Sequence, residues 1–233
     1  MTSHIVAMGG GGFLMEPENP LLDQYVLNLT GKTRPKICFL PQASGESRDS
    51  IINFYRAFTR LGAEPSDLSL FQPHTYDIEG FLKSQDAIYV GGGNTKSMIA
   101  LWREWGLDRI LREANANGTV LAGVSAGANC WFEECSTDSV FGRLSVTGCL
   151  GYLQGSFCPH YDSESGRRPW LLKTIGAGEI LNGYAMEDGA AAHFVDGQFQ
   201  RVVTSRPYVR GFYVAREADQ AVEKQLDMSY LGK

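Results

Sequence analysis

Short apolar runs closed by glycine or proline alternate with segments of helical period through the first half of the chain. HIVAMGG (4–10) and KICFLPQ (36–42) read as strands, the second stopped by Pro41. In SIINFYRAFTRLG (50–62), Ile51, Ile52, Phe54, Tyr55 and Phe58 recur at helical spacing and Gly62 ends the run. LSLF (68–71) reads as a short strand, and AIYVGGG (87–93) as a strand feeding a glycine turn. NTKSMIALWREWG (94–106) is expected to be a helix capped by Asn94 or Thr95, followed past Gly106 by a second helix over 107–118. TVLAGVSAG (119–127) is again a strand running into a turn. Strand–helix alternation with apolar, β-branched runs predicts an α/β fold, a mostly parallel sheet covered on both faces.

The second half is less regular. The pattern predicts a loop-rich stretch over 132–168 and a short helix near 169–176. Strands are expected near 191–196, 199–204 and 209–215, with Asp196-Gly197 as a hairpin turn, extending the same sheet in mixed fashion.

A chain of 233 residues is long enough for one sizeable core. One domain over 1–233 is the first expectation and two small ones the second. The net charge of −5 comes without a basic stripe, which argues against nucleic-acid binding. The amino-terminal segment has neither a basic start nor a long apolar core, and no window suits a membrane span. Five widely spaced cysteines without a CxxC pair read as reduced cytosolic thiols, with no zinc site. The expectation is a cytoplasmic protein, monomer or homodimer, without metal or organic cofactor.

Candidate chemistry centres on LAGVSAGANCW (121–131). Ser125 lies between Gly123 and Gly127 where a strand passes into a helix, the setting of a sharp turn that presents a nucleophile. The competing reading is a packing serine in a glycine-rich turn. Ligands bind beyond the carboxyl ends of strands in such sheets. The amides of Ala126 and of Gly92, in the other glycine turn, could receive an oxyanion there. Of the four histidines, His4, His74 and His193 read as structural or exposed, whereas His160 follows Pro159 at the rim of an apolar stretch and suits a general base. Asp138, Asp162, Glu187 and Asp188 are the carboxylates that could orient it. No Walker-type phosphate loop is present, and the GGGG run at 9–12 precedes no clean helix, so a dinucleotide site is not supported.

GGGNT (91–95), GVSAGAN (123–129), CPHYD (158–162) and EDGAA (187–191), in that order, resemble the aspartyl dipeptidase (peptidase E) and cyanophycinase family of serine peptidases. The opening MGGGGFLMEPENPLLDQY and the CFLPQAS strand are similar to that family too. The resemblance implies a three-layer α/β/α sandwich similar to the class I glutamine amidotransferases. It implies that Ser125 is the nucleophile, His160 the base, and Gly92 and Ala126 the oxyanion donors. Asp188 is the third member it implies, with Glu187 and Asp138 as alternative acids.

The implied activity is hydrolysis of small peptides through an acyl-enzyme, as a dipeptidase with a preference for an N-terminal aspartate. Arg167 and Arg168 would bind the substrate carboxylate. Two alternatives use the same fold: an esterase or amidase on a small acyl substrate, and a non-catalytic binding protein.

Overall fold

The computed structural model describes residues 2–232. Its amino-terminal half builds a sheet and most of the helices that cover it. β1 (His4–Met8), α1 (Gly12–Met15), α2 (Leu21–Leu29) and β2 (Lys36–Leu40) come first. α3 (Arg48–Arg60), β3 (Glu64–Asp67), α4 (Ile78–Lys83) and β4 (Ala87–Val90) follow. Then come α5 (Thr95–Trp105), α6 (Leu107–Ala116), β5 (Val120–Val124) and α7 (Ala126–Asn129). Asn94 caps α5, its Oδ1 accepting from the Ser97 amide at 2.9 Å.

The carboxyl-terminal half is β-rich. β6 (Phe132–Thr137), β7 (Ser145–Gly148) and β8 (Leu153–Cys158) precede α8 (Arg167–Ala177). β9 (Gly183–Met186), β10 (Ala190–Val195), β11 (Gln198–Thr204), β12 (Gly211–Glu217), β13 (Gln220–Gln225) and β14 (Met228–Tyr230) complete the described chain.

Eight strands form the main sheet in the order β14-β11-β10-β1-β5-β4-β2-β3. β1, β5, β4, β2 and β3 run parallel, and β10 pairs antiparallel with β1. Alternation along each strand separates two cores. Val6, Met8, Phe39, Tyr89 and Val124 face Phe13, Leu22, Phe54 and Phe58 of α1, α2 and α3. Ala7, Leu40, Val90 and Leu121 face Met98, Trp102 and Leu111 of α5 and α6. The result is the expected α/β/α layering.

Three expectations need correction. The stretch read as loop, 132–168, contains β6, β7 and β8, which belong to a second, six-stranded sheet ordered β13-β12-β9-β8-β6-β7. β12 joins that sheet instead of extending the first. Its core contacts run through Phe132, Cys135 and Phe157, in one cluster with α5 and α6, while α8 covers its other side through Leu171 and Ile175. The strand expected at 68–71 lies instead at Glu64–Asp67, where Pro65 is tolerated because β3 is a sheet edge.

α1 is a single turn, held by its aromatic side chain. The Phe13 ring meets Phe39, Phe54, Phe58 and Tyr89 edge-on at 5.3 to 5.7 Å between centroids. Such pairs contribute about 0.5–1.5 kcal/mol each beyond simple burial. They anchor the glycine run that precedes Phe13.

Candidate active site

Parallel β1, β4 and β5 all end on one edge of the main sheet, and antiparallel β10 begins there. Ser125 directly follows β5, with φ 56° and ψ −115°, a strained conformation for a residue with a side chain. The glycines beside it are explained by contact. A Cβ on Gly123 would overlap the Gly127 carbonyl, and one on Gly127 would overlap the carbonyl of Val90. The backbone therefore turns within a space that admits only hydrogen at both positions. The Ser125 amide donates to the Met8 carbonyl at 3.1 Å, which pins the bend to the end of β1.

His160 lies two residues beyond β8, also with positive φ (53°), and its amide donates to the next carbonyl along, that of Gly9, at 3.3 Å. Ser125 and His160 thus hang from consecutive carbonyls of one strand end. On the other side of that strand, Gly10 bridges to Asp188 and accepts from the Gly189 amide at 3.0 Å. Asp188 Oδ1 lies 2.7 Å from His160 Nδ1, both side chains being largely buried. Burial alone would raise the Asp188 carboxyl's pKa, but hydrogen bonds from His160 and Ser163, with the nearby positive charges, bring it below the ordinary value. An ionised carboxylate on Nδ1 fixes the ring tautomer and leaves Nε2 as the basic nitrogen. The Asp188 amide donates to Asp162 Oδ1 at 2.9 Å, and Arg206 donates to the Asp188 carbonyl, so the backbone at this position is also held.

Gly92 brings the β4 turn against the same serine: a Cβ there would lie 3.4 Å from Ser125 Cβ and 3.9 Å from its Oγ. Gly93 next to it has φ 137°, and a Cβ would overlap the Ala43 carbonyl, so this turn too depends on glycine. Ala126 is the first residue of α7, where an amide has no partner within the helix. The arrangement is suited to acyl transfer: a hydroxyl on a tight bend, an oriented imidazole and main-chain amides nearby.

The family model described as Peptidase family S51 matches residues 5–202. The chain belongs to peptidase family S51. Within the family, it is 52% identical to "Uncharacterized peptidase YgaJ" of Bacillus subtilis (strain 168) over 98% of this chain and 99% of the relative. It is 27% identical to "Peptidase E" of Haemophilus influenzae over 81% of this chain and 88% of that one. A solved peptidase from an acI-B1 Actinobacterium shares the fold with a TM-score of 0.73 at 17% identity, covering 98% of this chain and 96% of the other. A putative peptidase E protein from Listeria monocytogenes EGD-e gives 0.60 at 18% identity, covering 97% and 100%.

In this S51 peptidase the remaining candidates lie elsewhere. Glu187 turns away from His160 and holds Arg210, accepting from its amide at 2.8 Å and its Nε at 3.0 Å. Asp138 is exposed and lies 3.5 Å from Arg167. Arg167 is buried and also binds Glu164 at 2.6 Å. Arg168 pairs with Glu223 and stacks over Phe212 and Tyr161. Both arginines expected to read a substrate carboxylate are therefore committed to carboxylates of the protein. Gly10 is the residue that sequence reasoning missed. A Cβ at Gly10 would overlap Asp188 Oδ1 and lie 3.1 Å from His160 Nδ1. The available signal was the run of four glycines, 9–12, directly after β1.

The described residues contain no cluster of three or more His, Cys, Asp or Glu arranged to hold a metal ion. No helix among them is long and apolar enough to cross a membrane.

Proposed function

We propose that this S51 peptidase is a serine-type hydrolase of dipeptides and other small peptides, with Ser125, His160 and Asp188 as its catalytic residues. The observation that carries the reading is the 2.7 Å contact between His160 and Asp188 beside a strained serine tied to the same strand end. His160 Nε2 takes the Ser125 proton as Oγ attacks the peptide carbonyl. The amides of Gly92 and Ala126 receive the oxyanion. Imidazolium then protonates the leaving amine, and water, activated by the same ring, releases the acyl group. Asp188 stays ionised throughout and stabilises the imidazolium.

The finer reading concerns the substrate side chain. A cleft of about 370 Å³ opens between the β6–β7 loop, with Phe141, Arg143 and Leu144, and the Glu164–Arg167 segment that follows His160. Arg143 makes no ion pair among the described residues, unlike Arg167 in the same cleft. A preference for N-terminal aspartate falls to Arg143, whose fork matches a β-carboxylate.

The test is a panel of Asp-X, Glu-X, Asn-X and Leu-X dipeptides with wild type, Ser125→Ala, Arg143→Gln and Arg168→Gln. Hydrolysis is expected to vanish in Ser125→Ala. Selectivity for Asp-X is expected to collapse in Arg143→Gln and persist in Arg168→Gln. Full dipeptide hydrolysis by Ser125→Ala would end the proposal. A nitrophenyl ester cleaved faster than every dipeptide would move the assignment to an esterase.

A further inference from the structure

The two amides assigned to the oxyanion belong to different elements. Gly92 lies in the turn between β4 and α5, and Ala126 opens α7. Both must come within about 2.7–3.1 Å of one oxygen, so the gap between them has to be set closely. α7 is a single turn of four residues, too short to hold its own position. Near its start it touches the β4–α5 unit, where Gly127 packs on the Val90 carbonyl. One point of contact leaves a helical turn free to pivot. A second point lies at its far end, between two buried side chains. Asn129 Nδ2 donates to Thr95 Oγ1 at 3.3 Å. Asn129 is 2% exposed and Thr95 1%. Each stands three residues beyond one of the two amides, Asn129 after Ala126 and Thr95 after Gly92.

We propose that Asn129 is a positioning residue that, through Thr95, fixes the separation of the Gly92 and Ala126 amides. The proposal rests on the assignment of Ser125 as nucleophile and deepens it. The surroundings of Asn129 favour a positional role over simple packing. Its Nδ2 also donates to the Ser136 carbonyl of β6 at 3.4 Å, which decides which end of the amide faces that strand. Its Oδ1 is left buried without a hydrogen-bond partner. An apolar side chain of similar size would fill the same space without that cost. What the amide adds is the tie from α7 to its neighbours.

Thr95 is gripped from the other side as well. Its Oγ1 lies 3.5 Å from Thr137 Oγ1, which is 2.8 Å from Ser139 Oγ. Ser139 in turn accepts from Asn94 Nδ2 at its carbonyl (2.9 Å) and from the Lys96 amide at its Oγ (3.2 Å). The first turn of α5 is thus a fixed post, and Asn129 ties α7 to it. Loss of the tie leaves Ser125 and His160 on their strand-end carbonyls but lets the Ala126 amide tilt. The penalty falls where the oxyanion forms, in the transition state, and not on substrate binding.

The experiment measures kcat and KM on the best dipeptide for wild type, Ser125→Ala, Asn129→Leu, Thr95→Val and Thr95→Ser, with thermal melting to verify folding. Thr95→Val keeps the shape of the side chain and removes only the acceptor, so it carries the test where Asn129→Leu fails to fold. Asn129→Leu and Thr95→Val are each expected to lower kcat roughly 10- to 100-fold, with KM within about twofold. The double variant is expected to lose no more than the worse single, because both remove one contact. Thr95→Ser, which keeps the hydroxyl, should restore kcat to near wild type. A peptide aldehyde, whose adduct with Ser125 puts an oxyanion between the two amides, should weaken in parallel with kcat. Full kcat in folded Thr95→Val, or equal losses in Thr95→Val and Thr95→Ser, would overturn this proposal alone when Ser125→Ala is inactive. Full hydrolysis by Ser125→Ala would overturn it together with the assignment on which it rests.

Discussion

Asp188 Oδ1 fills the space that a methyl group on Gly10 would need, and His160 Nδ1 closes the same gap. The missing side chain at residue 10 is thus what lets the acid approach the imidazole. Gly10→Ala must push the Asp188 carboxylate aside while leaving the packing of Phe13 and the sheet intact. Misplacement of that kind costs about 10²-fold in rate. The expected result is a fall of that order in kcat, with KM and melting temperature nearly unchanged, measured on the best dipeptide.

Asp188→Asn keeps shape and removes charge. Its amide can no longer hold the imidazole in the productive tautomer, and kcat is expected to fall by about 10⁴-fold, as in comparable sites. Steady-state kinetics with circular dichroism to verify folding is the check. Wild-type turnover in the folded variant would exclude Asp188 as the orienting acid.

Glu187→Gln should behave in the opposite manner. The carboxylate binds Arg210 and not His160. Loss of its charge weakens that partly solvated pair, costing about 1–2 kcal/mol of stability. Chemical denaturation should register the loss while kcat stays near wild type.

His193 and Asp23 should oppose each other in the dependence of stability on pH. His193 lies between the Tyr25 hydroxyl, 2.8 Å from its Nδ1, and His4 Nδ1, 3.0 Å from its Nε2. Burial, then the His4 and Arg201 charges, lower its pKa from 6.5 to about 4. The unfolded chain therefore takes up this proton first. Stability from His193 is complete above pH 6.5 and is lost as pH falls towards 4, by about 3 kcal/mol in total. His193→Gln should flatten this acid limb in urea titrations between those limits.

Asp23 has the reverse sign. Its carboxyl is raised from 3.8 to about 7, so the folded chain keeps a proton that the unfolded chain gives up. Stability is full below pH 3.8 and declines as pH rises from there to about 7, by roughly 4 kcal/mol. Asp23→Asn, which mimics the neutral acid, should raise the melting temperature at pH 8 and leave it unchanged near pH 4.

The parallel centre of the main sheet was legible because β1, β4 and β5 are buried on both faces and run into glycine-rich turns. AIYV and VLAGV are apolar throughout, and the turns after them are tight enough to exclude side chains. The second sheet was hidden for the opposite reason. β6 reads FEECST and β8 LQGSFC, with exposed Glu133 and Gln154 and a positive φ at Gly155, so their composition resembles a loop. At the candidate site, the serine bend and the histidine after Pro159 could be found from their surroundings. The acid could not be settled, because Glu187 and Asp188 are adjacent and neighbours point in opposite directions in extended chain. Only the partners on each side, Arg210 and His160, separate them. The pairing of Arg167 with Glu164 and of Arg168 with Glu223 could not be read from the sequence, because a carboxylate's partner is fixed only by the folded arrangement of loops and strands.

The two consecutive carbonyls of Met8 and Gly9, from which the Ser125 bend and the His160 loop are suspended, also set a schedule for synthesis. The first strand leaves the ribosome long before its neighbours β5 and β10, yet it must slot between them. Such late, distant closure is slow. A nascent chain therefore cannot gather Ser125, His160 and Asp188 at that one strand end until β10 has emerged to close the far side of β1.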